Sequence, residues 1–282
     1  MILESALYAR LHPFQMNGAF NPDGFENALA GELVHQARIL REHTGTQAQH
    51  HFVTSTVLTS AMNRRAPSWQ GLTRAIQAEG GHAPVCYINA YECTGWGYIL
   101  RLIQQLGLYG QPVLISILDV NAFDMTCWNQ HEQWGDSGFG LATLQLRLSA
   151  ADHAETQTLQ ISTSTGNNPF NHFALAVRKQ LMADQHLCAS MPFFPKATQA
   201  LFDRILANFP HLPDRHPQWG HCFGSDPWLS IILSHREGYD FSRHEQVLAC
   251  SLAFSGYFSL ARLTLDDAGL FDVIPARQES IR

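Results

Sequence analysis

Beginning at Phe25, apolar residues recur at helical spacing: Phe25, Leu29, Leu33, Ala37 and Leu40 form one stripe. Asn21-Pro22-Asp23-Gly24 precedes it, a polar cap followed by proline at the first helical position, which suits a helix start. Residues 51–58 are rich in Val, Thr and Phe and predict a strand. Residues 69–78 predict a helix, 84–90 a strand, and 96–106 a further helix. The run 112–118 is apolar apart from Ser116, as expected of a strand buried on both faces. Residues 141–148 alternate, with Ala142, Leu144, Leu146 and Leu148 opposite Thr143, Gln145 and Arg147, which predicts a strand with one drier face. A strand at 157–163 and helices at 171–182 and 195–209 follow; the last carries Leu201, Phe202, Ile205, Leu206 and Phe209 on one broad face. Asp226-Pro227 opens a helix running to about residue 235. Residues 246–254 and 257–265 form an apolar closing hairpin, and 272–282 read as a polar, frayed tail.

Strands and helices alternate, and the second half repeats the plan of the first, which argues for an α/β fold. The halves divide into 1–153 and 154–282. No Gly/Ser-rich linker lies between them, so they are expected to form one unit.

Composition narrows the function. With 282 residues, 45% apolar and 15% charged, the chain can bury a large core and has apolar surface to spare for a subunit interface. The net charge of −6 argues against nucleic acid as a partner. No apolar run reaches membrane-spanning length, and the first 20 residues lack a secretory signal, so a cytoplasmic protein is expected. Cys86, Cys93, Cys127, Cys188, Cys222 and Cys250 are scattered and read as reduced thiols. The 15 histidines show neither His-Glu-x-x-His nor a Cys-x-x-Cys companion, so no metal is expected.

Cys93 is the candidate nucleophile. It lies at a strand-to-helix junction, where the helix N-terminus is expected to lower the thiol pKa. Its neighbour Glu92 would act the other way if its carboxylate faced the thiol.

The segment Glu92-Cys93-Thr94-Gly95-Trp96 resembles the active-site signature of the ketoacyl synthase III family of the thiolase superfamily. Three further stretches resemble family landmarks in the same order. Gly110-Gln111-Pro112-Val113 opens the strand after the nucleophile helix. Trp134-Gly135-Asp136-Ser137-Gly138 resembles a conserved turn. Residues 247–263 resemble the closing hairpin with its glycine-bearing loop. The resemblance implies a thiolase fold, a five-layer αβαβα sandwich of two similar halves. It also implies a thioester of CoA or acyl carrier protein as substrate, no further cofactor, and an oxyanion site that draws on the loop at Ser255 and Gly256.

The chain departs from the family at two catalytic positions. Phe193 stands where the family histidine is expected, and the asparagine position falls on Phe223 or Ser225. The short N-terminal region and altered catalytic set resemble the smaller subunit of the heterodimeric ketosynthase-like enzyme of alkylquinolone biosynthesis. That implies a divergent subunit in secondary metabolism, paired with a catalytically complete paralogue or with itself. The alternative is a stand-alone Cys93-dependent acyltransferase. His221, with Asp226 or Ser225 nearby, would supply its base. The plainer expectation is that Asp226 caps the following helix and His221 is a loop histidine.

Overall fold

In the computed structural model, residues 1–11, 22–62, 67–122, 125–150, 158–164, 168–244 and 246–277 are described. The expected division between residues 153 and 154, and the cap Asn21, lie outside them.

The first half contains strands β1 (Ile2–Arg10), β2 (His50–Thr54), β3 (Cys86–Ile88), β4 (Pro112–Asp119) and β7 (Gly140–Arg147). Helices α1 (Pro22–Thr44), α2 (Leu58–Met62), α3 (Trp69–Ala78), α4 (Gly95–Gln105) and α5 (Thr126–Asn129) connect them, with a small ribbon of β5 (Gln130–His131) and β6 (Gly135–Asp136). The second half contains β8 (Leu159–Thr163), β9 (Leu187–Ser190), β10 (Gln246–Leu252), β11 (Tyr257–Leu265) and β12 (Phe271–Ile274). Its helices are α6 (Pro169–Ala183), α7 (Lys196–Leu206), α8 (His216–Trp219) and α9 (Asp226–Arg236).

The two halves share one pairing rule. β1 runs antiparallel to β7, β7 antiparallel to β4, and β4 parallel to β2. β8 runs antiparallel to β11, β11 antiparallel to β10, and β10 parallel to β9. A short parallel contact, Ile2 with Thr264 and Leu3 with Leu265, joins the two sheets. α4 packs against β2 and β4 on one side and β8 and β11 on the other. α9 likewise meets β1 and β12 on one side and β9 and β10 on the other. These two buried helices are the middle layer, with Trp96 and Trp228 edge-to-face at 5.0 Å between them. α1 and α3 cover the outer face of the first sheet, and α6 and α7 that of the second. This is the expected five-layer αβαβα arrangement.

Three expectations need correction. The strand over 51–58 ends at Thr54. The Asp119 carboxylate accepts the N–H groups of Thr56 and Val57, and Ser55 Oγ then caps Leu58 N, so the chain turns into α2. β7 has no wet face apart from Arg147. Thr143 and Gln145 are buried beneath α1 in a polar seam, where His51 Nε2 lies 2.9 Å from Ser116 Oγ and Ser116 Oγ 3.1 Å from Thr143 Oγ1. Finally, the tail is not frayed from residue 272. β12 pairs in parallel with Ala6–Ala9 of β1, and buried Phe271 anchors it.

Candidate active site

Each middle helix is entered through a tight 3-10 turn, Glu92–Thr94 before α4 and Phe223–Ser225 before α9. Each turn holds a non-glycine residue at positive φ, Glu92 at 48° and Phe223 at 54°. The turns meet at the junction of the halves. Gly224 allows this approach, since a Cβ there would lie 3.3 Å from the Cys93 carbonyl oxygen; Gly95 seats the first turn against β2, where a Cβ would lie 2.1 Å from Thr54 Oγ1. Cys93 of one half therefore faces His221 of the other.

Cys93 Sγ lies 3.8 Å from His221 Nε2 and 3.8 Å from Thr56 Oγ1. On the far side of the ring, His221 Nδ1 is 2.6 Å from Asp226 Oδ2 and 2.9 Å from the carbonyl oxygen of Phe193. Both neighbours of Nδ1 are acceptors, so Nδ1 carries the proton and Nε2 presents its lone pair to the thiol. Asp226 is held in turn by the N–H groups of Cys222, at 2.6 Å, and Phe193, at 2.9 Å. His221 is fixed through its backbone as well. Its N–H donates to Asp136 O, and its carbonyl accepts from Gly138 N. Gly138 has no room for a side chain, because a Cβ would lie 2.2 Å from Trp219 O. The ring of Phe194 stacks on the imidazole at 5.3 Å, and Phe223 tilts against it at 5.0 Å.

The site is buried and acidic. Burial pushes the Cys93 thiol well above its ordinary pKa, and the charges of Asp119, Asp226 and Glu92 push the same way. The expectation of a lowered thiol is thus corrected: burial and three nearby carboxylates raise it. Burial also raises Asp226, opposed chiefly by His221 and by the two N–H donors. Asp119 is raised to about 6 by burial, although three donors from residues 55–57 oppose the rise. A thiol raised in this way would need a base to act as a nucleophile. His221 is placed to be that base.

The remaining candidates separate. Asp226 does not cap α9 through its side chain. The plainer reading of His221 and Asp226 gives way to a paired, buried couple. Ser225 is buried, and its hydroxyl makes no hydrogen bond among the described residues; it does not line the cavity at Cys93. The Phe193 side chain is core, while its backbone holds both His221 and Asp226. Phe223 forms part of the cavity wall. The expected oxyanion amides are engaged elsewhere: Gly256 N donates to Ala253 O, and Ser255 N lies 3.4 Å from Glu92 Oε2. Glu92 points away from the thiol to clamp this loop, taking Phe254 N at 2.8 Å.

Sequence reasoning missed Thr56 and Asp119. Asp119 ends the apolar run of β4, and a lone carboxylate closing such a run was the available signal. Thr56 carried none.

A cavity of about 650 Å³ opens over Cys93, lined also by Thr59, Asn89, Glu92, Trp128, Trp134 and Phe254. Among the described residues, no three His, Cys, Asp or Glu side chains converge as a metal site, and no helix is long and apolar enough to cross a membrane.

No protein-family profile and no curated protein sequence matches the chain. Solved structures do. An acyltransferase, ChlB3, matches with a TM-score of 0.64 at 11% identity, covering 95% of this chain and 98% of that one. AbyA1, a tetronic acid condensing enzyme, matches with a TM-score of 0.59 at 15% identity, covering 93% of this chain and 100% of that one. The 3-oxoacyl-(acyl carrier protein) synthase III FabH from Pseudomonas aeruginosa PAO1 matches with a TM-score of 0.60 at 11% identity, covering 94% and 98%. At these identities the likeness is one of fold: the chain has the thiolase fold, in the form seen in ketoacyl synthase III-like enzymes.

Proposed function

We propose that this protein is a Cys93-dependent acyltransferase that takes an acyl group from a thioester of CoA or acyl carrier protein and hands it to a small nucleophilic acceptor. The observation that carries this reading is the alignment Cys93 Sγ, His221 Nε2, His221 Nδ1, Asp226 Oδ2. His221 takes the thiol proton as Cys93 Sγ attacks the thioester carbonyl, and Asp226 stabilises the imidazolium that forms. Collapse of the tetrahedral adduct expels the donor thiolate, which receives the proton from His221. An acceptor O–H, N–H or S–H then attacks the acyl-cysteine. Its proton passes to His221 and on to the departing Cys93 sulfur.

Decarboxylative condensation is the weaker reading. It needs donors at a developing enolate, and removing one such donor costs about 10²–10³ in rate. Phe193 and Phe223 supply none from their side chains, and His221 Nδ1–H is committed to Asp226 and Phe193 O. Similarity to ChlB3, whose description names an acyltransferase, supports transfer, while AbyA1 and the synthase III enzymes support carbon–thioester chemistry more broadly. A role as one subunit of a heterodimer in secondary metabolism stands as a second reading. It is favoured by β3, a three-residue, half-buried strand at the end of the sheet, beside exposed Val85.

The test is to load the protein with acyl-CoA, then offer malonyl-CoA or hydroxyl, amine and thiol acceptors. The proposal expects the acyl group on an acceptor without CO₂ release. Release of CO₂ with a β-ketoacyl product would overturn it.

A further inference from the structure

The acyl group itself can be narrowed further, on the premise that Cys93 is acylated. We infer that it is a planar aromatic one bearing a hydrogen-bonding ring substituent.

One wall of the cavity over Cys93 is built from rings: Trp128, His131, Trp134, Phe223 and Phe254. Among the described residues no Leu, Ile, Val or Met side chain lines the cavity. A linear alkyl chain is normally held by such aliphatic side chains, whereas flat rings favour offset-stacked or edge-to-face partners at centroid distances of about 4.5–7 Å. Trp134 is the centre of the wall. It stacks with His131 at 4.1 Å and Trp128 at 6.2 Å, and lies 4.9 Å from Phe254 and 6.1 Å from Phe223. Its indole N–H donates to Ser137 Oγ at 2.8 Å, which fixes the ring plane. It also lies 6.2 Å from the imidazole of His221, so a group stacked along this wall sits beside the reacting sulfur.

The rest of the lining is polar, with Thr59, Asn89 and Glu92 offering hydroxyl, amide and carboxylate groups. These suit a ring hydroxyl or amino group. Among the described residues no Lys or Arg lines the cavity, and Glu92 does, so a free carboxylate on the acyl group meets a carboxylate there. A dicarboxylic acyl group such as malonyl is therefore disfavoured. At about 650 Å³ the space far exceeds an acetyl group.

The experiment compares initial rates of Cys93 acylation, read by intact-protein mass. The donors are 2-hydroxybenzoyl-, 2-aminobenzoyl-, benzoyl-, cyclohexanecarbonyl-, hexanoyl- and malonyl-CoA. Benzoyl and cyclohexanecarbonyl have the same carbon skeleton size, but only one is flat. The expected result is aryl donors about tenfold or more faster than cyclohexanecarbonyl and hexanoyl, with malonyl slowest. Phe254→Leu, at an exposed position that does not threaten the core, is expected to narrow that ratio severalfold. Equal or faster labelling by the alkyl donors overturns this inference and leaves acyl transfer standing. A complete absence of adducts on Cys93 overturns both.

Discussion

The imidazole of His221 has two ring nitrogens in different surroundings, and this difference is the chemistry of the site. Nδ1 faces only acceptors, so the lone pair is forced to Nε2, toward a thiol that burial keeps protonated. Asp226→Asn removes one of these acceptors and lets its amide favour the other tautomer. Acylation of Cys93, followed by stopped-flow release of free CoA, is expected to slow by about 10³-fold while the fold is retained. A fall below about tenfold would make Asp226 merely structural. A second residue-scale prediction concerns pH. Burial lowers His51 to about 4, so the unfolded chain takes up that proton near 6.5 and the folded protein only near 4. The stability His51 contributes is therefore complete above about pH 6.5 and lost as pH falls toward 4. Asp119, raised to about 6, has the opposite sign: folding is penalised as pH rises from about 4 to 6. The two largely cancel in the wild type. Urea denaturation of His51→Gln should show the wild type gaining on the variant by about 1 kcal/mol per pH unit between 4.5 and 6. A pH-independent difference would contradict this. Among the individual residues, Cys93 and His221 stood out in the sequence, because a cysteine at a junction and a histidine ahead of Asp226-Pro227 are local signals. Their partnership, across 128 positions, entered only as the alternative to a loop histidine, because no local pattern links the two.

At the scale of elements, helices with a continuous apolar stripe followed their sequence signal closely. α3 spans Trp69–Ala78 as the spacing predicts. Departures arose where a distant side chain decides. The Asp119 carboxylate ends β2, and the unpaired flank of β1 recruits β12. Neither partner can be inferred from local periodicity. Phe271 is the test of the second case. Phe271→Ala is expected to cost about 3 kcal/mol of unfolding free energy, measured by denaturant, since its ring packs at 4.7 Å from His235 of α9 and pins β12 to the sheet. A loss under about 1 kcal/mol would mean β12 is dispensable. The turns before α4 and α9 were also only half legible. The glycine of Cys93-Thr94-Gly95 marked the first. The second, Phe223-Gly224-Ser225, carries a bulky residue at positive φ, a conformation that sequence disfavours.

At the scale of the molecule, the site exists because two halves with one pairing rule present equivalent turns to each other. The first half gives the sulfur, and the second gives the imidazole and its carboxylate. The family histidine position is filled by Phe193, yet an imidazole still reaches the sulfur, from the turn that opens the opposite middle helix. Reading the substituted positions alone implies a damaged enzyme; the fold brings an imidazole from elsewhere. The central claim is that this single chain carries the nucleophile, base and carboxylate needed to acylate itself. The most direct measurement is the intact mass of the purified chain, with no second polypeptide, after incubation with acyl-CoA donors. The account predicts a single acyl increment located on Cys93, absent in Cys93→Ser and formed about 10²–10⁴-fold more slowly in His221→Gln. An increment that appears only when a partner protein is added, or that forms equally fast without His221, would contradict it.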